Sequence, residues 1–159
     1  MKKTLLSITL TSLLLAAGVA SAIEQRPILS LEVAKKMAAA CEAKAKQEGW
    51  KMNIAILDSG GNMKHFSRMD DSFLKSIEIA QLKAATSAGL PFSTKQIGEI
   101  AAKVPGIAFV PGIVTFEGGL PILTGDGKHI GSIGVSGASA EQDGLCAQAA
   151  LDAVKNDLK

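Results

Sequence analysis

The chain has 159 residues, with 17 Lys+Arg against 15 Asp+Glu, two His, one Trp and no Tyr. Lys2 and Lys3, an apolar run over 5–20 and the motif Ala20-Ser21-Ala22 read as a Sec-type signal peptide, residues 1–22, cleaved after Ala22. Its removal takes two Lys and no acid, so the remaining chain is formally neutral and has no charge excess for nucleic acid or an anionic membrane.

The apolar run is short for a membrane span, and the cleavage motif argues against a retained anchor. The expectation is an exported protein, periplasmic or secreted, with one domain over residues 23–159. Without Tyr and with a single Trp, its core must be aliphatic. Ser30 is a candidate N-cap. Leu31, Ala34, Met37, Ala38, Cys41 and Ala45 follow at helical spacing, and Gly49 ends the first helix.

Strands follow at about 52–58 and 62–69. Met52, Ile54 and Ile56 alternate with Asn53, Ala55 and Leu57, so both faces of the first strand are largely apolar, as in a central strand. Asp58-Ser59-Gly60-Gly61-Asn62 is turn chemistry. The second strand carries Met63, Lys64, His65, Arg68 and Met69, with Asp70 after them, and is the first place to look for a site. Asp70, Asp71 and Ser72 supply caps for a second helix over about 72–88. That helix is apolar almost all round, through Phe73, Leu74, Ile77, Ile79, Ala80, Leu82, Ala84 and Ala85. It is expected to pack on the sheet and on another subunit, with burial inside a monomer as the alternative.

Gly89-Leu90-Pro91 breaks that helix. Ser93 and Gln96 form a capping-box pattern that opens a short helix to about 103. The segment 107–116 reads as strand-and-turn, apolar at 107–109 and 113–116, and two further strands follow at 120–124 and 129–136, with turns at Gly118-Gly119 and Gly125-Asp126-Gly127. A last helix runs from Ala140 to about Asn156. The order αββααβββα with short turns implies an α/β (α+β) domain with about five antiparallel strands flanked by helices. Cys41 and Cys146 each fall on a helix. They are expected as two buried thiols, with a disulfide as the alternative if those helices touch.

Chemistry-bearing patterns are sparse. Gly131-x-x-Gly134-x-x-Gly137 lacks the spacing and context of a nucleotide loop. The glycines instead admit a close approach, by a packed helix or by a ligand. The two His, His65 and His129, match no metal-binding spacing. Haem needs only one or two axial ligands, so His65, Met63 and Met69 are candidates. Arg68 could hold a carboxylate or propionate, or pair locally with Asp70. Lys83 and Thr86 are the polar pair on the apolar helix, and Lys83 could equally extend to solvent.

Together, Leu57-Asp-Ser-Gly-Gly-Asn-Met63, Arg68-Met-Asp70, Lys83-Ala-Ala-Thr86, Gly118-Gly-Leu-Pro121, 130–138 and Asp143 resemble the GlcG/HbpS-like haem-binding family. That family is related to the C-terminal domain of PduO-type proteins. The resemblance covers about 29–154 and implies a profilin-like sheet, homodimers or higher homo-oligomers, and haem as cofactor. It places His65, Arg68, Asp70, Lys83, Thr86, Gly118, Gly119 and Pro121 around a pocket formed by the second strand, the second helix and the 118–121 turn. Arg68 and Lys83 would meet the propionates, and His65 or Thr86 the iron. The chain departs from relatives that carry His where it has Asn62 and Ser67. The implied function is haem sequestration or handling. Its alternatives are an enzyme or accessory protein acting on a small carboxylate or aromatic substrate, and a corrinoid-related binding module.

Overall fold

The computed structural model describes residues 26–159, so the expected signal peptide lies outside the described residues. Helix α1 (Leu31–Glu48) starts where Ser30 Oγ accepts a hydrogen bond from the Val33 N–H. It stops at Gly49, whose φ of 75° is the left-handed value that glycine tolerates. Strands β1 (Asn53–Asp58) and β2 (Met63–Arg68) pair antiparallel. The Asp58 carboxylate closes their turn, accepting from Gly60 N at 2.9 Å and Asn62 N at 3.0 Å.

Helix α2 (Leu74–Gly89) has Phe73 at its N-cap and no side-chain cap, contrary to the expected capping by Asp70, Asp71 and Ser72. Asn53, buried in β1, draws this junction inward. Its Nδ2 donates to Ser76 Oγ at 2.9 Å, and its Oδ1 accepts from Ser72 Oγ at 3.3 Å. Helix α3 (Thr94–Lys103) opens with the expected Ser93/Gln96 capping box, and a 3₁₀ turn follows at Pro105–Phe109. Strands β3 (Gly119–Leu123) and β4 (His129–Ser136) form the last hairpin, and α4 (Ala140–Ala153) begins with a second capping box at Ser139/Gln142.

The sheet is antiparallel throughout, in the order β2-β1-β4-β3. It has four strands, not about five, because the stretch 107–116 forms no strand. Pro105 and Pro111 lack the N–H that a ladder needs, and Gly106 and Gly112 follow them.

Period-two alternation divides the core. Ile54, Ile56, Ile133 and Val135 meet α1 and α4 through Met37, Ala45, Ala147 and Ala150. Ala55 and Leu57 meet Ala80 and Ala84 of α2 on the other face. The expectation of two buried free thiols is overturned. Cys41 and Cys146 form a disulfide, with Sγ–Sγ 2.03 Å and Cα–Cα 4.8 Å. Ala38, Ala45, Ala147 and Ala150 keep the α1–α4 contact thin enough for those backbones to approach. On the α2 face, a Cβ at Gly134 would lie 2.1 Å from the Ala80 carbonyl oxygen and 2.3 Å from Ala84 N. The glycine therefore admits a packed helix rather than a ligand. At the start of α2, Phe73 and Leu74 are 71% and 77% exposed, so none of the described residues covers that end of the helix.

Candidate functional site

Lys83 does not extend to solvent. It is fully buried, and its Nζ donates to Asp143 Oδ2 at 2.7 Å and to the Val135 carbonyl at 3.0 Å. The ammonium also lies 4.8 Å from the centroid of the Phe116 ring. The other Asp143 oxygen accepts from Ala138 N at 3.0 Å. Because α2 and α4 cover opposite faces of the sheet, this ion pair joins the two layers beside the end of β4. Burial pushes the Lys83 ammonium below its ordinary range and the Asp143 carboxyl above its own, and their mutual attraction opposes both shifts.

The glycine pair fits around this junction. Gly118 has a φ of 124°, and a Cβ there would come within 2.5 Å of Lys83 Nζ. Gly119 donates its N–H to the buried Thr94 Oγ1 at 2.9 Å. Pro121 lies on edge strand β3, where a missing donor is tolerated, and lines a cleft on the α4 side.

One turn beyond Lys83, Thr86 is almost fully buried. Its Oγ1 accepts from Val114 N at 3.0 Å and donates to the Leu82 carbonyl at 2.8 Å, with the Gly112 carbonyl 3.2 Å away as a second acceptor. Among the described residues, Thr86 is the one polar side chain lining a groove of about 520 Å³ between the end of α2, α3 and the 3₁₀ turn. Its walls are Leu90, Phe92, Ile97, Ile100, Ile107, Val110 and Ile113.

The other expected site residues lie elsewhere. His65 pairs with Ile56, whose side chain belongs to the α1–α4 core, so His65 sits on the opposite face of the sheet from α2. Arg68 and Asp70 line a polar cleft of about 360 Å³ with Glu42, Lys46 and Lys51, at the end of α1. The single pocket expected from the second strand, the second helix and the 118–121 turn is therefore not assembled within one chain. Apart from His65, which lines none of them, those residues fall at the buried junction, the apolar groove and two separate clefts. Among the described residues, no group of three or more His, Cys, Asp or Glu could hold a metal ion.

Two features escape sequence reasoning. The groove is signalled only by the i, i+3 spacing of Ile97 and Ile100 after Leu90 and Phe92, which reads equally well as ordinary core. The Lys83–Asp143 pair spans 60 residues, and only the isolation of one charge on an apolar helix hints at it.

Comparison with known proteins places this geometry in a family. The sequence pattern described as "Haem degrading protein HbpS-like" matches residues 29–152. The chain is 40% identical over 134 residues to an uncharacterised 15.0 kDa protein in the dhaT-dhaS intergenic region of Citrobacter freundii, covering 81% of this chain and 94% of that one. The crystal structure of protein ORFY of Klebsiella pneumoniae superposes with a TM-score of 0.79 at 34% identity, covering 85% of this chain and 96% of that one. A crystal structure of a PduOC–haem complex gives a TM-score of 0.73 at 30% identity, covering 80% of this chain and 95% of that one. An α+β chain with an antiparallel sheet flanked by helices, matched over nearly all of its described length, belongs to the HbpS-like family.

Proposed function

We propose that the protein is an exported haem-binding protein that sequesters or hands on haem, seated in the groove between α2 and α3. The observation that carries this reading is the groove itself. Its volume of about 520 Å³ falls in the ordinary range for small-molecule sites, and its walls are aliphatic and aromatic. Such walls suit the apolar faces of a porphyrin, and the PduOC–haem complex shows that a related chain binds one. Ile97 and Ile100 exclude water, and Thr86 supplies the groove's one hydroxyl. Lys83 is held by Asp143 and Arg68 lies in another cleft, so neither faces the groove. Of the two lysines on wall helix α3, Lys95 pairs with Glu117, and Lys103 is exposed in the last turn. When bound, haem supplies a redox-active iron. No titratable side chain of the described residues lines the groove, so the chain's own contribution is binding rather than proton transfer.

Export is supported by the leader pattern and by the Cys41–Cys146 disulfide, which suits an oxidising compartment such as the periplasm. No described helix is long and apolar enough to cross a membrane. The exposed Phe73 and Leu74 support a homodimer or larger homo-oligomer. A second reading, a site for a small carboxylate, is favoured by Arg68 with Lys46 and Lys51. Glu42 and Asp70 in the same cleft offset that charge.

Titration of the haem-free protein with haemin tests the groove. The expected result is a saturable Soret band near one haem per subunit or per dimer. Val110→Glu, at a half-exposed lining position, is expected to weaken binding at least about tenfold by placing a charge against the ligand. His65→Ala and Arg68→Ala are expected to bind as the parent does. Absorbance that never saturates, or unchanged binding in Val110→Glu, overturns the reading.

A further inference from the structure

The wall of the groove opposite α2 is built unlike the others. Residues 105–113 lie between Pro105-Gly106 and Pro111-Gly112, and Gly112 has a left-handed φ of 83°. No residue of the 3₁₀ turn is buried, and Phe109 is 82% exposed. Among the described residues, the hydrogen bonds of 105–113 stay within the segment or run to Val104, except for the approach of the Gly112 carbonyl to Thr86. The chain just beyond is firmly held. Val114 N donates to Thr86 Oγ1 at 3.0 Å, a Cβ on Gly98 would lie 2.2 Å from the Thr115 carbonyl oxygen, and the Phe116 ring covers Lys83.

A segment with glycine at both ends, little buried surface and one tether is a local-opening unit. The geometry points to residues 105–113 as a strap that Thr86 latches to the end of α2, so that release of the Gly112 and Val114 contacts widens the groove and speeds entry of a ligand. The same hydroxyl is the groove's one polar side chain. Any group that engages Thr86 must first displace its two partners from the strap side. The identity of the ligand rests on the haem reading, whereas the latch does not.

The test uses the ligand-free protein and the dye 1-anilinonaphthalene-8-sulfonate, whose apolar rings need the groove but not haem chemistry. Stopped-flow mixing reads its association rate, and amide hydrogen exchange reads Val114. Thr86→Val removes the latch and keeps the shape. Dye association is expected to rise about tenfold, the equivalent of one lost hydrogen bond, and Thr86→Ser returns it to the parent rate. Gly112→Ala is the second variant. Its added Cβ meets nothing within 4 Å, but it strains the closed φ at the hinge. It keeps the Val114 acceptor, so faster Val114 exchange in Gly112→Ala reports opening itself. Dye association unchanged in both variants, or Val114 exchange unchanged in Gly112→Ala, overturns the strap. Failure of haemin to bind would instead remove only the ligand assignment and leave these readings intact.

Discussion

On the α1–α4 face of the sheet, Ile54, Ile56, Ile133 and Val135 pack against Met37 and a set of alanines, and the Cys41–Cys146 disulfide closes the layer. On the α2 face the same strands offer Ala55, Leu57 and Gly134. The helix there is held by a backbone approach, a Ser132 Oγ donation to the Ala84 carbonyl at 2.7 Å and the Lys83–Asp143 pair. Each fully buried Ile contributes about 1.5–3 kcal/mol by area. The first face thus spreads its stability over many large side chains, and the second concentrates it in a few exacting contacts. The groove and its strap lie at the end of the second face. Ligand sites and moving elements are drawn from less redundantly packed regions, because such regions can open without unfolding the whole.

The comparison is broken most sharply by removing what closes the first face. Cys41→Ala with Cys146→Ala opens a covalent loop with a sequence separation of 105. The expected loss is about 4–5 kcal/mol in urea unfolding, as chain entropy predicts for a loop of that length, with dye binding at the groove unaffected. A loss below about 1 kcal/mol would show that the apolar layer stands without its staple.

On the second face, Asp143→Asn leaves Lys83 buried without its counter-charge, and the expected loss is about 3–5 kcal/mol. Lys83→Met combined with Asp143→Leu should recover most of it. The pH dependence follows from the directions of the shifts. The Asp143 carboxyl, raised above 3.8 by burial, contributes stability that is present below 3.8 and is lost as pH rises through its folded value. The Lys83 ammonium, pushed below 10.5 by burial, contributes stability that is present above 10.5 and is lost as pH falls through its folded value. Between the two folded values both groups are charged and the pair is least favourable. Unfolding of the parent and the double variant at acid, neutral and alkaline pH should therefore show the parent at its greatest relative disadvantage near neutrality. A pH-independent difference would contradict the shifts.

The smallest expected effect sharpens the contrast. Gly134→Ala forces a methyl group onto the backbone of α2 and should cost about 1–3 kcal/mol by overpacking. If differential scanning calorimetry shows no change in Tm, the Ala80–Gly134 approach is looser than described.

What the sequence disclosed was local. The Ser30 cap, the Asp58–Asn62 turn and the Ser93/Gln96 capping box depend on residues within four positions of each other, and all three are present, whereas the expected cap of α2 is not. What it withheld was long-range. Whether Cys41 meets Cys146 depends on how closely two helices dock, and neither helix encodes that spacing by itself. Lys83 read as a propionate contact, or else as a lysine extending to solvent, because its partner lies 60 residues away. The segment 107–116 has the apolar content of a strand. Its prolines decided the outcome, because removing ladder donors outweighs side-chain propensity. The candidate site was legible in its members but not in its grouping. Thr86 could be named from the sequence, whereas the groove around it depends on α3 folding back over the end of α2.

The Lys83–Asp143 contact also constrains the order in which the molecule assembles. If α2 settled on the sheet before α4 arrived, the ammonium would lose its water with no carboxylate to replace it. The penalty of several kcal/mol for a lone buried charge exceeds what an interface of alanine and glycine supplies early. Full docking of α2 therefore waits for the N-terminus of α4, which lies 60 residues further along the chain than Lys83. Two layers separated by a sheet are thereby bound into one cooperative folding unit by a single pair of side chains.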